Sequence, residues 1–333
     1  MKVNKAFSSL EFIVTLFFLS LILIALGFFL RNTDLSIKRK TSNKDDKEKI
    51  DIVLDTIFEE IKKDTTPDVD SKMDPVWKLN DTTIDGFEVT IKSLSGLINL
   101  NYISRNILEN TGFSNLFVSS DSIKKLDSMI KEKGPITSYE EINDLITEEK
   151  FNENFTFYGY SNFNITDEVS LAFLGNSITQ TYFGDELVNK RKSLIRNKQF
   201  IQNSTDFNLL CGIYYEDISP FINILPTLNV NFLSEESLRN ILGFPGFKLP
   251  GARQKVNTII SMRDYKEITQ EELVSILGIT KNSELYYYIG CKTWFWQISI
   301  KGKHTVCNVV IARDPDDGPL GQAKLYLIEK KWL

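Results

Sequence analysis

Histidine is nearly absent from this 333-residue chain, since His304 is the only one. A single imidazole cannot build a histidine-based metal cluster. No G-x-S-x-G motif accompanies it, so a Ser-His-Asp hydrolase site is not indicated. We therefore interpret His304 as a solvated residue at the end of a strand-like run. Because no other catalytic constellation occurs in the sequence, we expect a protein that is not an enzyme.

Cysteine is also scarce, with only Cys211, Cys291 and Cys307. None of them forms a C-x-x-C pair, which excludes zinc sites and thioredoxin-type redox sites built on that motif. An odd number allows at most one disulfide, and Cys291 with Cys307 is the better candidate pair. A hairpin turn at residues 301–302 would instead place Cys307 opposite Gln297, which favours free and buried thiols.

An excess of positive charge is missing as well. The chain has 39 Lys and Arg against 44 Asp and Glu, a net charge of -5 at pH 7. Such a balance gives no reason to expect nucleic acid as a partner. Hydrophobic residues make up 42% and charged residues 25%, which are ordinary values for globular domains.

The longest uncharged run covers residues 12–30. As a helix it would be about 28 Å long, close to the thickness of a bilayer core. No A-x-A pattern follows the run, so we expect it to remain attached as a single transmembrane helix. Its orientation stays open, because Lys2 and Lys5 precede it but more basic residues follow it.

A short basic leader, residues 1–6, precedes this run. The leader and the residues after it resemble a type IV prepilin signal, in which the cut falls before a phenylalanine. Cleavage between Ala6 and Phe7 would place Glu11 at the fifth mature position, although the family usually has glycine where Ala6 stands. A carboxylate at the edge of an apolar helix is costly in lipid unless it is paired, and a neighbour's amino terminus could pair with Glu11 in a filament. The alternative is an ordinary signal anchor in which Glu11 occurs by chance.

The helix is predicted to continue beyond the membrane. Apolar residues recur at the spacing of an amphipathic helix, at Ile50, Val53, Leu54, Ile57, Phe58 and Ile61. A proline at position 67 ends the pattern. We therefore predict one N-terminal helix over residues 7–65, half in the membrane and half packed on a domain.

The middle of the chain contains an internal repeat. Three segments begin with an Asn-x-Asn entry turn, at 99–101, 162–164 and 229–231, with offsets of 63 and 67 residues. Each entry turn leads to a Ser or Thr suited to cap a helix: Ser104, Thr166 and Ser234. We predict an inserted α-helical domain over 97–282, made of three related modules of the helix-hairpin-helix or SAM-like type.

Strand-like segments flank this helical block. Residues 87–91 alternate between apolar and polar side chains, as a half-buried strand does. Aromatic and β-branched segments follow the block at 285–289, 294–300, 305–312 and 323–329. The predicted fold class is α+β, with a pilin-like antiparallel sheet built from residues 66–96 and 283–333 and interrupted by the helical insertion.

This order of motifs resembles the minor pseudopilin K family of type II secretion. The resemblance rests on the prepilin-like start, on the entry at 96–101, on the segment 225–231 and on the tail from Ser283. Two features depart from the family: Glu11 is present where the family generally lacks a glutamate, and Ser95 stands where an acidic residue is common. The first departure leaves the position within the pseudopilus open.

The resemblance implies a subunit at the tip of the pseudopilus that nucleates or caps assembly and helps to export folded periplasmic proteins. The implied partners are minor pseudopilins of the I and J types, the pseudopilus itself, prepilin peptidase and exported proteins. It further implies cleavage before Phe7, N-methylation of Phe7, and a single-pass inner-membrane protein with its C-terminal body in the periplasm.

A different class of protein combines the same features, namely a membrane-anchored DNA receptor of the competence type with Asn-x-Asn helix-hairpin-helix modules. Such a receptor needs basic side chains on phosphate. Residues 97–280 contain 17 Lys and Arg but 23 Asp and Glu. The third hairpin, residues 246–251, also replaces the usual short Gly-x-Gly turn, so we expect no nucleic-acid partner.

One turn near the C-terminus is rich in aspartate, with Asp314, Asp316 and Asp317 between a proline and a glycine. Closely spaced carboxylates suit calcium, and calcium is the only cofactor that we expect. A solvated turn that is rich in Asp because of its turn chemistry explains the same residues.

Overall fold

The computed structural model describes residues 46–64, 66, 68–303, 305–315 and 324–333. The predictions for Ala6, Phe7, Glu11 and the segment 12–30 lie outside these residues, as do those for His304, Asp316 and Asp317. In the described ranges, no helix has both the length and the apolar character needed to cross a bilayer.

The fold is mixed, with helices forming most of the central part and strands lying on either side of it in sequence. The helices are α1 (46–62), α2 (Arg105–Glu109), α3 (Asp121–Lys133), α4 (Glu148–Asn154), α5 (Glu168–Thr179), α6 (Phe183–Arg196), α7 (Ser204–Cys211), α8 (Tyr215–Ile218), α9 (Glu235–Leu242), α10 (Ala252–Arg263), α11 (Gln270–Leu277) and α12 (Glu284–Tyr288). The strands are β1 (Thr82–Ile84), β2 (Phe87–Ser93), β3 (Ile98–Asn99), β4 (Phe155–Thr156), β5 (Ser161–Asn162), β6 (Ile222–Asn223), β7 (Leu228–Asn229), β8 (Ile289–Gly290), β9 (Phe295–Lys301), β10 (Val306–Arg313) and β11 (Leu325–Trp332). Short 3-10 helices cover Pro75–Leu79, Leu94–Gly96, Gly112–Leu116, Tyr139–Glu141, Gly212–Tyr214 and Pro245–Phe247.

Five of the strands form one antiparallel sheet in the order β1-β2-β9-β10-β11. Side chains of β2 alternate between buried and exposed, so the sheet has one apolar face. Strands β2 and β9 are neighbours, with Ile91 opposite Ile298, although the whole helical part lies between them in sequence. The helical part is therefore an insertion between two adjacent strands.

Helix α1 covers the apolar face of this sheet. The members of its apolar stripe from Ile50 to Ile61 are buried, apart from the partly buried Phe58, and they form one core cluster with strand residues. The strand residues of this cluster are Phe87, Val89, Ile91, Trp296, Ile298, Ile300, Cys307, Val309 and Ile311. Full burial of such side chains contributes about 1.5–3 kcal/mol each, so the stripe fixes the helix on the sheet.

Each module of the insertion is closed by a two-residue parallel strand pair. Strand β3 pairs with β4, β5 with β6, and β7 with β8. Each pair joins the entry turn of a module to its last residues, so the modules run from 98 to 156, from 161 to 223 and from 228 to 290. The third module therefore extends beyond the predicted boundary at residue 282.

Two sequence-based predictions require correction. Residues 285–288 form part of α12 instead of a strand, because Leu285, Tyr287 and Tyr288 bury their side chains in the module core, and such packing outweighs the β-propensity of tyrosine. Cys307 lies opposite Ile300, not opposite Gln297, because the turn between β9 and β10 is closed by a bond from Gly302 N–H to Thr305 C=O. All three cysteines are free and buried, as predicted, although the register on which that prediction rested was wrong.

Candidate functional site: the junction of helix, sheet and modules

The Asn-x-Asn entry turns fasten each module internally. In the first module, the Asn101 side chain donates to Ile136 C=O at 2.9 Å and accepts from Ile136 N–H at 2.8 Å. Asn164 makes the same two bonds with Ile201, and Asn231 makes them with Ile268. An amide carries both a donor and an acceptor, so one Asn side chain can pair with a backbone as a strand would. The motif therefore joins the start of each module to the segment before its closing helix.

An arginine completes each entry turn, buried in the first two modules and partly buried in the third, and sequence reasoning missed all three. Arg105 donates to Leu100 C=O at 2.9 Å and to Ile103 C=O at 3.1 Å. Arg191 reaches the equivalent carbonyls in the second module, and Arg263 does so in the third. These arginines come from α2, α6 and α10, respectively, so no common spacing in the sequence points to them.

The third module is also fastened to the segment that leaves α1. We call residues 68–74 the exit segment. The side chains of Asn229 and Asn231 both donate to Asp70 C=O, at 3.0 and 3.2 Å. Asp70 N–H in turn donates to Cys291 C=O at 2.8 Å. The third entry turn thus holds its own module and the exit segment together.

The carboxylate of Asp70 connects this joint to the sheet. Arg313, the last residue of β10, donates to both oxygens of Asp70, with N–O distances of 3.0 and 3.1 Å. Thr293 N–H donates to the same carboxylate at 2.7 Å. The guanidinium of Arg313 is fully buried and packs on the Trp296 ring, 5.0 Å from its centroid. The helix exit, the sheet and the third module therefore meet at one ion pair.

Two further buried carboxylates lie at this joint. Carboxylate oxygens of Asp64, Asp70 and Asp74, here called the acid cluster, lie within 4.8 Å of one another. Asp74 accepts from Ser71 N–H at 2.7 Å, and Asp64 Oδ2 lies 3.8 Å from Arg313 Nη2. Burial disfavours the charged form and raises the pKa of Asp70 to about 7 and that of Asp74 also to about 7.

The acid cluster is the group of acidic side chains, within the described residues, whose spacing could hold a metal ion. Carboxylate oxygens are suitable calcium ligands. However, the Arg313 guanidinium already contacts both carboxylate oxygens of Asp70 and lies beside Asp64. The Arg313 guanidinium therefore already supplies the acid cluster with the positive charge that a metal ion would otherwise contribute.

Of the predicted site residues, Asp314 alone lies among the described residues. Its Oδ2 accepts from the Tyr326 hydroxyl at 2.7 Å, and its N–H donates to Lys324 C=O at 2.9 Å. These contacts fix Asp314 at the base of the turn between β10 and β11. The structure does not bring it together with the acid cluster, which the sequence analysis did not single out.

No protein-family model matches the chain, and no curated protein matches it. Among solved structures, the chain is similar to one from the crystal structure of the GspK-GspI-GspJ complex of the enterotoxigenic Escherichia coli type II secretion system. The match covers 89% of this chain and 99% of the other, with 10% sequence identity and a TM-score of 0.42.

Proposed function

We propose that this chain is a membrane-anchored minor pseudopilin of a type II protein secretion system. The observation that carries the proposal is the packing of α1, through its apolar stripe, on one face of a five-stranded antiparallel sheet. In the sequence, α1 follows the predicted membrane segment 12–30 and the prepilin-like leader. A helix that is membrane-bound at one end and packed on a sheet at the other is the arrangement expected of a pilin-like subunit.

The proposed position is the tip of the pseudopilus, and steric bulk supports it. Pilin-like filaments form by stacking slender subunits around a core of N-terminal helices. Here three closed modules, residues 98–290, are inserted between β2 and β9, which widens the body far beyond a sheet with one helix. A body of that width hinders a subunit above it but leaves the side of α1 available below, so one copy would cap the filament.

The proposed partners are minor pseudopilins of the I and J types, the classes that the solved complex also contains. Prepilin peptidase would act on the leader at Ala6 and Phe7, and Glu11 would pair with a neighbour's amino terminus. The body would lie in the periplasm, where exported proteins could contact the modules. Calcium at Asp314, together with Asp316 and Asp317, remains the one proposed ligand.

The mature N-terminus tests this proposal. The full chain is co-expressed with prepilin peptidase, and the purified protein is analysed by intact-mass and N-terminal mass spectrometry. We expect a chain that begins with N-methyl-Phe7, whereas a Phe7→Ala variant serves as the control for peptidase recognition. An intact Met1 terminus in the presence of active peptidase would refute the pilin-like assignment.

A further inference from the structure

The exit segment leads from α1 towards the first strands of the sheet, and it is held by contacts that converge on Asp70. The backbone of Asp70 bonds to Asn229, Asn231 and Cys291, and its side chain bonds to Arg313. Any event that weakens this point would loosen α1 and the sheet from the third module together.

The charges at this point do not balance. Three carboxylates are more than nine-tenths buried, and their oxygens lie within 4.8 Å of one another, but one guanidinium faces them. Carboxylates that share a buried site cannot all ionise at their usual pKa, because each negative charge opposes the next. Arg313 bonds to both oxygens of Asp70, which commits its charge mainly to that residue.

Asp74 is the carboxylate with the weakest compensation. It accepts from Ser71 N–H, and among the described residues no cation lies within ion-pair distance of it. The charged groups that face it are Asp64, Asp70 and Glu267, which all add negative charge. Lys292 acts on Asp70, but its Nζ lies 3.6 Å from the exposed Asp68. A proton is therefore the counter-charge that fits Asp74.

We propose that a proton held by the acid cluster at Asp74 latches the exit segment of α1 to the third module, and that its loss loosens this joint. With the proton present, Arg313 balances the charge on Asp70 and Asp74 is a neutral acid, so the cluster carries one negative charge fewer. Without it, Asp74 and Asp70 repel each other across the exit segment. Burial and the neighbouring carboxylates raise the pKa of Asp74, in agreement with a proton held there. The latch depends only on the described joint and would exist whatever the protein assembles with.

Hydrogen exchange of the full chain in detergent micelles tests the latch. Exchange is measured at pH 6 and pH 8.5 in EDTA, and rates are corrected for the intrinsic effect of pH. We expect amides of the exit segment and of residues 229–231 to exchange at least tenfold faster at pH 8.5. The Asp74→Asn variant, which is neutral at both values, should lose this difference, whereas the exposed-site control Asp55→Asn should keep it.

Three outcomes would overturn the proposal. The first is protection that does not change with pH in the unmodified protein. The second is an unchanged pH dependence in Asp74→Asn. The third is recovery of protection at pH 8.5 by added calcium, which would make the cluster a cation site. If Asp74→Asn does not fold, infrared spectroscopy of the unmodified protein decides: the latch requires a protonated carboxyl band at pH 6 that disappears by pH 8.5, and the absence of that band refutes it.

Discussion

Asp70 and Arg313 form a buried, two-pronged ion pair between residues that are 243 positions apart. Asp70 follows α1, and Arg313 ends β10, so the pair closes the chain around the whole helical insertion. Because Trp296 covers the guanidinium and Thr293 donates to the carboxylate, neither partner can turn to solvent. The joint is thus a single structural unit that connects the end of α1, the sheet and the third module.

Removal of the Arg313 guanidinium should lower the free energy of unfolding substantially. In an Arg313→Met variant the acid cluster loses the guanidinium that contacts Asp70, and breaking a buried pair by deleting one partner costs about 3–5 kcal/mol. Denaturant unfolding of the full chain in micelles measures the change. The control is Lys301→Met, which removes an exposed pair with Glu88 at 3.3 Å and should cost less than about 1 kcal/mol. Similar losses in the two variants would contradict the role assigned to the joint.

The stability of the body should fall as pH rises from about 4 to about 7. Asp74 has a folded-state pKa of about 7, above the value of 3.8 expected when unfolded, so the native state binds more protons in this window. The contribution of Asp74 is fully present below about pH 4 and is lost as pH passes through 7. Glu141, Asp144 and Glu272, whose pKa values are lowered, act in the opposite direction below about pH 4.5.

Urea unfolding at pH 5 and pH 8 measures this dependence. Between pH 5 and pH 8, we expect the free energy of unfolding to fall by about 1–3 kcal/mol more in the unmodified chain than in Asp74→Asn. An Asp74→Asn variant with the same loss as the unmodified chain would show that Asp74 does not titrate in this range.

The three entry turns should respond alike to loss of the second asparagine. Replacing Asn101, Asn164 or Asn231 by Ala leaves a buried N–H and a buried C=O without partners, at about 1–3 kcal/mol for each group. Asn231→Ala should cost the most, because Asn231 also donates to Asp70 C=O. Thermal unfolding of the set, with the exposed Asn115→Ala as control, tests this ranking. If Asn231→Ala is as stable as the control, the entry turn does not stabilise the module.

Calcium should raise the melting temperature of the full chain if the turn after β10 binds it, since a ligand of the native state stabilises that state by mass action. Calorimetry with calcium and with chelator tests this, and Asp316→Ala with Asp317→Ala should abolish the shift. A shift that survives this double variant but disappears in Asp64→Asn would place the ion at the acid cluster. An unchanged melting temperature would remove calcium as a ligand.

Local patterns predicted the parts of the fold that local chemistry determines. The stripe from Ile50 to Ile61 has helical spacing, and it lies against the sheet. The Asn-x-Asn repeat was visible because both asparagines act within one turn and recur at regular offsets. In each module, the same turn begins the strand pair that closes the unit, although strands of two residues leave no pattern of their own.

Long-range contacts could not be predicted in this way. Arg105, Arg191 and Arg263 donate to equivalent carbonyls but lie on three different helices. They therefore do not recur at the regular offsets of the Asn-x-Asn repeat. In the sequence, the residues of the acid cluster are separate loop residues without a recognisable pattern. Only the folded sheet brings Arg313 to Asp70. Tyr287 and Tyr288 favour strands by propensity, but the module core buries them in a helix. In each case tertiary packing, which one sequence does not reveal, decides the outcome.

The central claim is that one copy of this chain caps a pseudopilus, and photocrosslinking with copy counting tests it most directly. A photoreactive amino acid replaces Ile52, which is 59% exposed on α1, or Ile57, which is buried against the sheet and serves as the matched control. We expect Ile52 to crosslink to I- or J-type minor pseudopilins, Ile57 to give no intermolecular product, and labelled filaments to carry a single copy at one end. Copies repeated along the shaft, or crosslinks of the chain to itself, would contradict the claim.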